Sequence, residues 1–198
     1  MIDLYWKPET VADVPLMALR RMGAAHRVLT VGEDVTEAEY LQINPSGTVP
    51  SLVDGELVLF ESIAILMYLA DRYPEAQLAP PPGSAEHALY DRWLAYVAAN
   101  LMGAYYRWFH VDDMIDGEEH QHALMRCAER DVNELNRRIE ADLGDRQWLL
   151  GDGPTMPDLL LGTVATWGDD VEGIDALGPR LAGLVARVGM WAETSAAS

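Results

Sequence analysis

The chain opens on alternation. In MIDLYW the apolar Ile2, Leu4 and Trp6 stand between Asp3 and Tyr5, the period-two pattern of a strand. Asp13 then offers a cap for a helix that holds Pro15 in its first turn and stops at Gly23. HRVLTV predicts a second strand, and TEAEYLQIN a helix whose Thr36 and Glu39 have capping-box spacing. VPSLV and LVLF predict two more strands, joined by a tight turn at Asp54-Gly55. Residues 62–73, SIAILMYLADRY, are apolar nearly all round, so this helix is expected to be covered on more than one side. The order is β-α-β-α-β-β-α: a parallel βαβ unit, an antiparallel hairpin and a closing helix. Strands 49–53 and 57–60 are apolar on both faces, which calls for helices on both sides of the sheet.

The pattern changes at residues 74–84, PEAQLAPPPGS, where four prolines and a glycine forbid helix. Beyond it almost everything has helical period. A helix over 84–110 puts Tyr90, Leu94, Val97, Leu101 and Trp108 on one stripe. A second over 118–143 carries Leu124, Ala128, Val132, Leu135 and Ile139 and stops at Gly144. GPTMPDLLLGTVATW starts a third, with Thr155 and Asp158 again spaced as a capping box, and PRLAGLVARVGMW gives a fourth. The expected architecture is an α+β domain over residues 1–75, a linker over 76–84 and an all-α bundle over 85–198.

Composition narrows the partners. The net charge of −18 repels nucleic acid and anionic membranes, so neither is expected. Cys127 is the single cysteine, which leaves no internal disulfide or thiol metal cluster and suits a reducing cytoplasm. No basic-then-apolar leader is visible, and no apolar run approaches the ~20 residues of a membrane span. HVDDMIDGEEHQH gathers three histidines and five carboxylates, but His120 and His122 would splay on a helix and the acids lack calcium-loop spacing. No metal is expected there.

Three stretches in this order, NPSGTVPSLVDG, ESIAILMYLADRYP and WLLGDGPTMPDLLLG, resemble the cytosolic glutathione transferases over essentially the whole chain. The resemblance implies a thioredoxin-like first domain, a helical second domain, a two-fold dimer and glutathione as co-substrate. Physical chemistry supports a peptide socket in the first domain. Pro50 lacks an N–H and suits a strand start or a cis turn, and a cis bond would turn the Val49 N–H and C=O outward to pair with an extended peptide. By the resemblance, that peptide is glutathione. Glu61-Ser62 stands where a strand becomes a helix. The unpaired N–H groups of that helix start, with the Ser62 hydroxyl, can seat a carboxylate, and Glu61 can pair with an ammonium group.

Family members stabilise the glutathione thiolate with hydrogen-bond donors. Lowering a thiol pKa by about two units takes roughly 2.7 kcal/mol. In this chain the position that carries cysteine in some classes falls on Val11, and the serine positions fall on Glu9 or Ala12. Tyr5, near the phenol of tyrosine-type members, and Thr10, in the loop before the first helix, are the remaining candidates. WLAYVAANLMGAYYRWF resembles the bacterial beta-class pattern, yet Met102 and Gly103 replace its usual histidine and lysine. Met102, Tyr105, Tyr106 and Trp108 remain, suited to a small apolar electrophile, with Trp108 inclined to the core and Tyr106 to the cleft. Two other outcomes stay open: a non-catalytic binding or regulatory protein, and a glutathione-dependent isomerase or lyase. Thioredoxin-like reductase chemistry lacks its cysteine in the first-helix loop.

Overall fold

The computed structural model describes the chain from Met1 to Ala196. It divides into two compact units, Met1–Pro81 with the chain from Met190 onward, and Pro82–Gly189. The first unit runs β1 (Ile2–Trp6), α1 (Asp13–Arg21), β2 (His26–Thr30), α2 (Glu37–Ile43), β3 (Ser51–Asp54), β4 (Leu57–Phe60) and α3 (Ser62–Arg72). The sheet order is β2-β1-β3-β4, with β1 parallel to β2 and β3 antiparallel to both of its neighbours. This is the thioredoxin-like arrangement.

Alternation along β1 divides the core. Ile2 and Leu4 are buried with Leu52 on one face, where the apolar sides of α1 and α3 supply Val14, Ala18, Leu19, Ile65, Leu66 and Leu69. Tyr5 faces the other way and packs with Val31 and Tyr40 of α2, against Leu29, Val35, Ile43, Val49 and Val53. The capping box of α2 forms as its spacing predicts: Glu39 N–H donates to Thr36 Oγ1 at 3.3 Å, and Thr36 N–H to Glu39 Oε2 at 3.0 Å.

Three local expectations are corrected. The hairpin loop is Gly55-Glu56 rather than Asp54-Gly55, because Asp54 still pairs with Leu57; Gly55, at φ +63°, takes the positive-φ position that a primed turn requires. β4 has a strand partner on one side only, and Leu57, Val58 and Phe60 are exposed, so its apolar run is that of an edge strand rather than one covered on both faces. Asp13 does not cap α1. Ala12 holds that position, and Asp13 is the first helical residue, its carboxylate turned to Trp6.

The second unit is helical. α4 (Ala85–Tyr96) continues through a π-helical stretch, Val97–Met102, into α5 (Gly103–Phe109). The Asn100 side chain donates to the Tyr96 carbonyl at 3.0 Å beside that stretch, a widening that hydrophobic spacing alone does not signal. α6 (Val111–Met114), α7 (Glu118–Leu143), α8 (Met156–Val164) and α9 (Pro179–Ala196, whose residues to Gly189 belong here) complete it. Gly162 lets α9 approach α8 closely: a Cβ on it would lie 2.7 Å from a Val188 methyl carbon.

The start of α8 is a fully buried polar knot. Asp158 accepts from Leu149 N–H at 2.7 Å, Thr155 N–H at 2.8 Å and Thr155 Oγ1 at 2.7 Å. Removing that carboxylate strands three buried donors, each costly to leave unpaired. Asp158→Ala is expected to lower the free energy of unfolding by about 3 kcal/mol in urea titrations; a change below about 0.5 kcal/mol, the scale of a neutral surface substitution, would contradict this role.

Candidate functional site

Strand register assembles the site in the first unit. Tyr5 pairs with Ser51, and Ser51 with Phe60, so the end of β1, the start of β3 and the end of β4 lie abreast at one edge of the sheet. Neighbouring strands are about 4.8 Å apart, so this row spans about 10 Å, the length of an extended tripeptide. The chain leaves the row as Trp6 and the loop to Ala12, as Val49-Pro50, and as Glu61-Ser62. Five of the six first-unit site candidates, Tyr5, Val49, Pro50, Glu61 and Ser62, meet on this edge. Thr10 stands in the loop that follows it.

The Val49-Pro50 peptide is cis. Val49 is half-buried, and its backbone N–H and C=O have no hydrogen-bond partner among the described residues. The turn around it is held from below. The Tyr40 hydroxyl donates to the Thr48 carbonyl at 2.6 Å and lies 2.7 Å from Ser51 Oγ. The buried Asn44 donates to the same carbonyl at 2.8 Å, and its Oδ1 accepts from the N–H and Oγ of Ser46. Tyr40 and Asn44 position the turn and were not singled out from sequence, although Asn-Pro-Ser-Gly is a turn signal that points to Asn44.

Glu61 adopts φ +72°, a left-handed backbone conformation costly for a residue with a Cβ. Its side chain is exposed, while Ser62, the first residue of α3, is buried. Neither side chain has a hydrogen-bond or ion-pair partner among the described residues, and the first turn of α3 carries no acid. Beyond Glu61 at the cap, no acidic side chain of the first turn meets the positive end of the helix dipole.

The two thiol candidates differ. Tyr5 is buried with its ring 5.5 Å from that of Tyr40, and burial pushes its phenol above the ordinary range, so it remains a protonated donor at neutral pH. Thr10 already donates its proton to the Lys7 carbonyl at 2.8 Å and accepts from Ala12 N–H at 3.2 Å. In the same loop the Trp6 indole donates to Asp13 at 2.7 Å. Burial pushes the Asp13 carboxyl above the ordinary carboxylate range, against the Trp6 hydrogen bond and Arg20, while Glu9 adds to the rise.

Met102 and Tyr106 belong to the second unit. Met102 is half-buried at the end of the π-helical stretch. Tyr106 is 54% exposed, its ring stacked 4.4 Å from His110. Tyr105, grouped with them in the sequence, is fully buried, edge-on to Trp167, and burial pushes its hydroxyl up to about 12, so it offers no wall to a ligand. Trp108 is half-buried and donates to Glu129 at 3.3 Å. Among the described residues no group of three or more His, Cys, Asp or Glu side chains could hold a metal, and no helix is long and apolar enough to cross a membrane.

Residues 5–71 match the family profile described as Glutathione S-transferase, N-terminal domain. Glutathione S-transferase GST-4.5 of Xanthomonas campestris pv. campestris is 30% identical over 182 residues, covering 89% of each chain. Among solved structures, the ternary complex of BphK, a bacterial glutathione transferase, has a TM-score of 0.84 at 27% identity and covers 98% of this chain and 96% of that one. The theta class glutathione S-transferase of Xanthomonas axonopodis pv. citri, with glutathione bound, has a TM-score of 0.79 at 29% identity over 100% of this chain and 97% of that one.

The Glu61 backbone gives a test independent of ligand. Glu61→Gly removes the Cβ that makes φ +72° costly, so the free energy of unfolding is expected to rise by about 1 kcal/mol. A loss of stability in urea or thermal unfolding would show that the side chain supports the fold instead.

Proposed function

The chain belongs to the glutathione S-transferase family, and on that footing we propose that it binds glutathione along the sheet edge and transfers its sulfur to small apolar electrophiles. The observation that carries the binding is the Val49 backbone, unpaired among the described residues, just before the start of β3, which lies abreast of the end of β4 that leads into Glu61 and the start of α3. Val49 N–H and C=O pair with the cysteinyl residue as an added strand would. The N–H groups at the start of α3, with Ser62 Oγ, take the γ-glutamyl carboxylate, and Glu61 takes the ammonium group. Pro50 shapes the turn and leaves that pairing edge open.

Tyr5 is the proposed thiol donor, because it stands on the row at the end of β1 and a phenol keeps its proton at neutral pH. Thr10 is the second candidate and must turn its proton away from the Lys7 carbonyl to serve. Met102 and Tyr106 are the proposed contacts of the electrophile, and a homodimer in a reducing cytoplasm is the proposed setting. No role for nucleic acid, membrane or metal enters this reading.

One observation favours a second reading, a glutathione-binding protein without turnover. Neither Val11 nor Ala12 carries a side-chain donor, and the Thr10 proton is already engaged. Two measurements separate the readings. The protein is expected to be retained on immobilised glutathione, with Glu61→Ala and Ser62→Ala each weakening binding about tenfold or more, the loss of a charge-assisted contact. Unchanged retention in both variants would remove the socket. With a panel of apolar electrophiles, Tyr5→Phe is expected to lower kcat/KM at least tenfold; a silent Tyr5→Phe beside an impaired Thr10→Ala would transfer the role to Thr10.

A further inference from the structure

Resting on that reading of the sheet edge, we propose that Asp13 is the base that accepts the glutathione thiol proton as the sulfur attacks. Tyr5 pairs with Ser51, so the chain leaving β1 at Trp6 and the chain entering β3 from Val49-Pro50 meet at the same end of the sheet. The Trp6 indole holds Asp13 Oδ1 at 2.7 Å, which ties the first residue of α1 to that same end of the sheet. The other carboxylate oxygen has no partner among the described residues. Asp13 is the part-buried carboxylate of the loop-to-helix junction, and the buried Val11 and Ala12 beside it offer the sulfur no side-chain hydrogen bond.

The surrounding charges suit a base better than a fixed counter-charge. Glu9 in the loop and the desolvation of Asp13 favour its protonated form, while Trp6 and Arg20 oppose them. Around α1, Lys7 is paired with Glu37, and Arg21 lies over the Trp191 ring at the far end of the helix. On α3, Glu61 is at the site edge, whereas Tyr68 and Arg72 are engaged by Asp54 at the opposite edge of the sheet, with Asp71 beside them. A permanent carboxylate here would repel a thiolate. A carboxylate that takes up the proton becomes neutral as the sulfur gains charge.

The step balances without another reactant. As the S–C bond forms, the thiol proton passes to the free Asp13 oxygen, and the C–X bond of the electrophile breaks with its electron pair on X. Water then removes the proton from the carboxyl. Trp6 is a positioning residue: its hydrogen bond orients the carboxylate and holds its pKa down.

Single-turnover alkylation of protein-bound glutathione by iodoacetamide, followed from pH 5 to 9, tests this without needing the natural electrophile; iodide is the leaving group. The bound thiol is expected to react faster than free glutathione, on a plateau whose acidic limb is set by a carboxyl. Asp13→Asn, which can still accept from Trp6, is expected to slow the reaction about 100-fold at the pH of the wild-type plateau, make the rate rise tenfold per pH unit below the pKa of the bound thiol, and leave retention on immobilised glutathione intact. Trp6→Phe removes the donor that lowers the Asp13 pKa, so the acidic limb is expected to move to higher pH. The proposal is overturned by an Asp13→Asn rate equal to or above wild type, by a uniform drop with the pH profile unmoved, or by bound glutathione that reacts no faster than free. Loss of retention by the unmodified protein overturns the socket and this step together.

Discussion

β3 lies between β1 and β4 in one fixed register, and everything proposed for the site depends on it. Because Tyr5, Ser51 and Phe60 stand abreast, three chain segments far apart in sequence leave the sheet side by side. A one-residue slip of β3 would turn Ser51 away from Tyr40 and move Val49 off the row, since side chains alternate faces with period two. Several interactions fix that register: the Leu4 and Leu52 pair is buried on one face, and the Tyr40 hydroxyl links Thr48 and Ser51 on the other.

That edge gathers opposite electrostatic demands within a few residues. The start of α3 is positive and lacks an acid in its first turn, while Glu61 projects into solvent beside it from a left-handed backbone. An arrangement with unpaired polar groups and local backbone cost serves the fold poorly and suits a zwitterionic ligand well. The loop after β1 is different. At the positions where the resemblance places cysteine or serine it carries Val11, Ala12 and Glu9, so in the proposed function the grip on a peptide and the activation of its sulfur fall to separate groups.

Much of the fold was legible because local signals agreed. The strand of Ile2, Leu4 and Trp6, both capping boxes and the helix over 118–143 stand where spacing puts them. Periodicity could not tell that β4 is an edge strand, because an apolar run reads the same whether a neighbour covers it or not. The turn at Gly55-Glu56 shifted by one residue because a pairing register, rather than turn propensity, sets where a strand ends. The π-helical stretch left the buried stripe of Tyr90, Leu94, Val97 and Leu101 intact and therefore gave no signal. At the site, residue types pointed to Val49, Pro50, Glu61 and Ser62. They could not show that Tyr105 turns inward while Tyr106 turns out, nor that Trp6 would claim Asp13 from its expected cap, since both depend on contacts between distant segments.

Grip on a tripeptide by the Val49 main chain and the start of α3 is the central claim, and a crystal structure of the protein with glutathione measures it most directly. The prediction is a cysteinyl N–H and C=O each about 3 Å from the Val49 backbone, with the γ-glutamyl carboxylate at Ser62 and its ammonium at Glu61. Glutathione bound elsewhere, or an edge left empty with Glu61 in bulk water at saturating ligand, would contradict it.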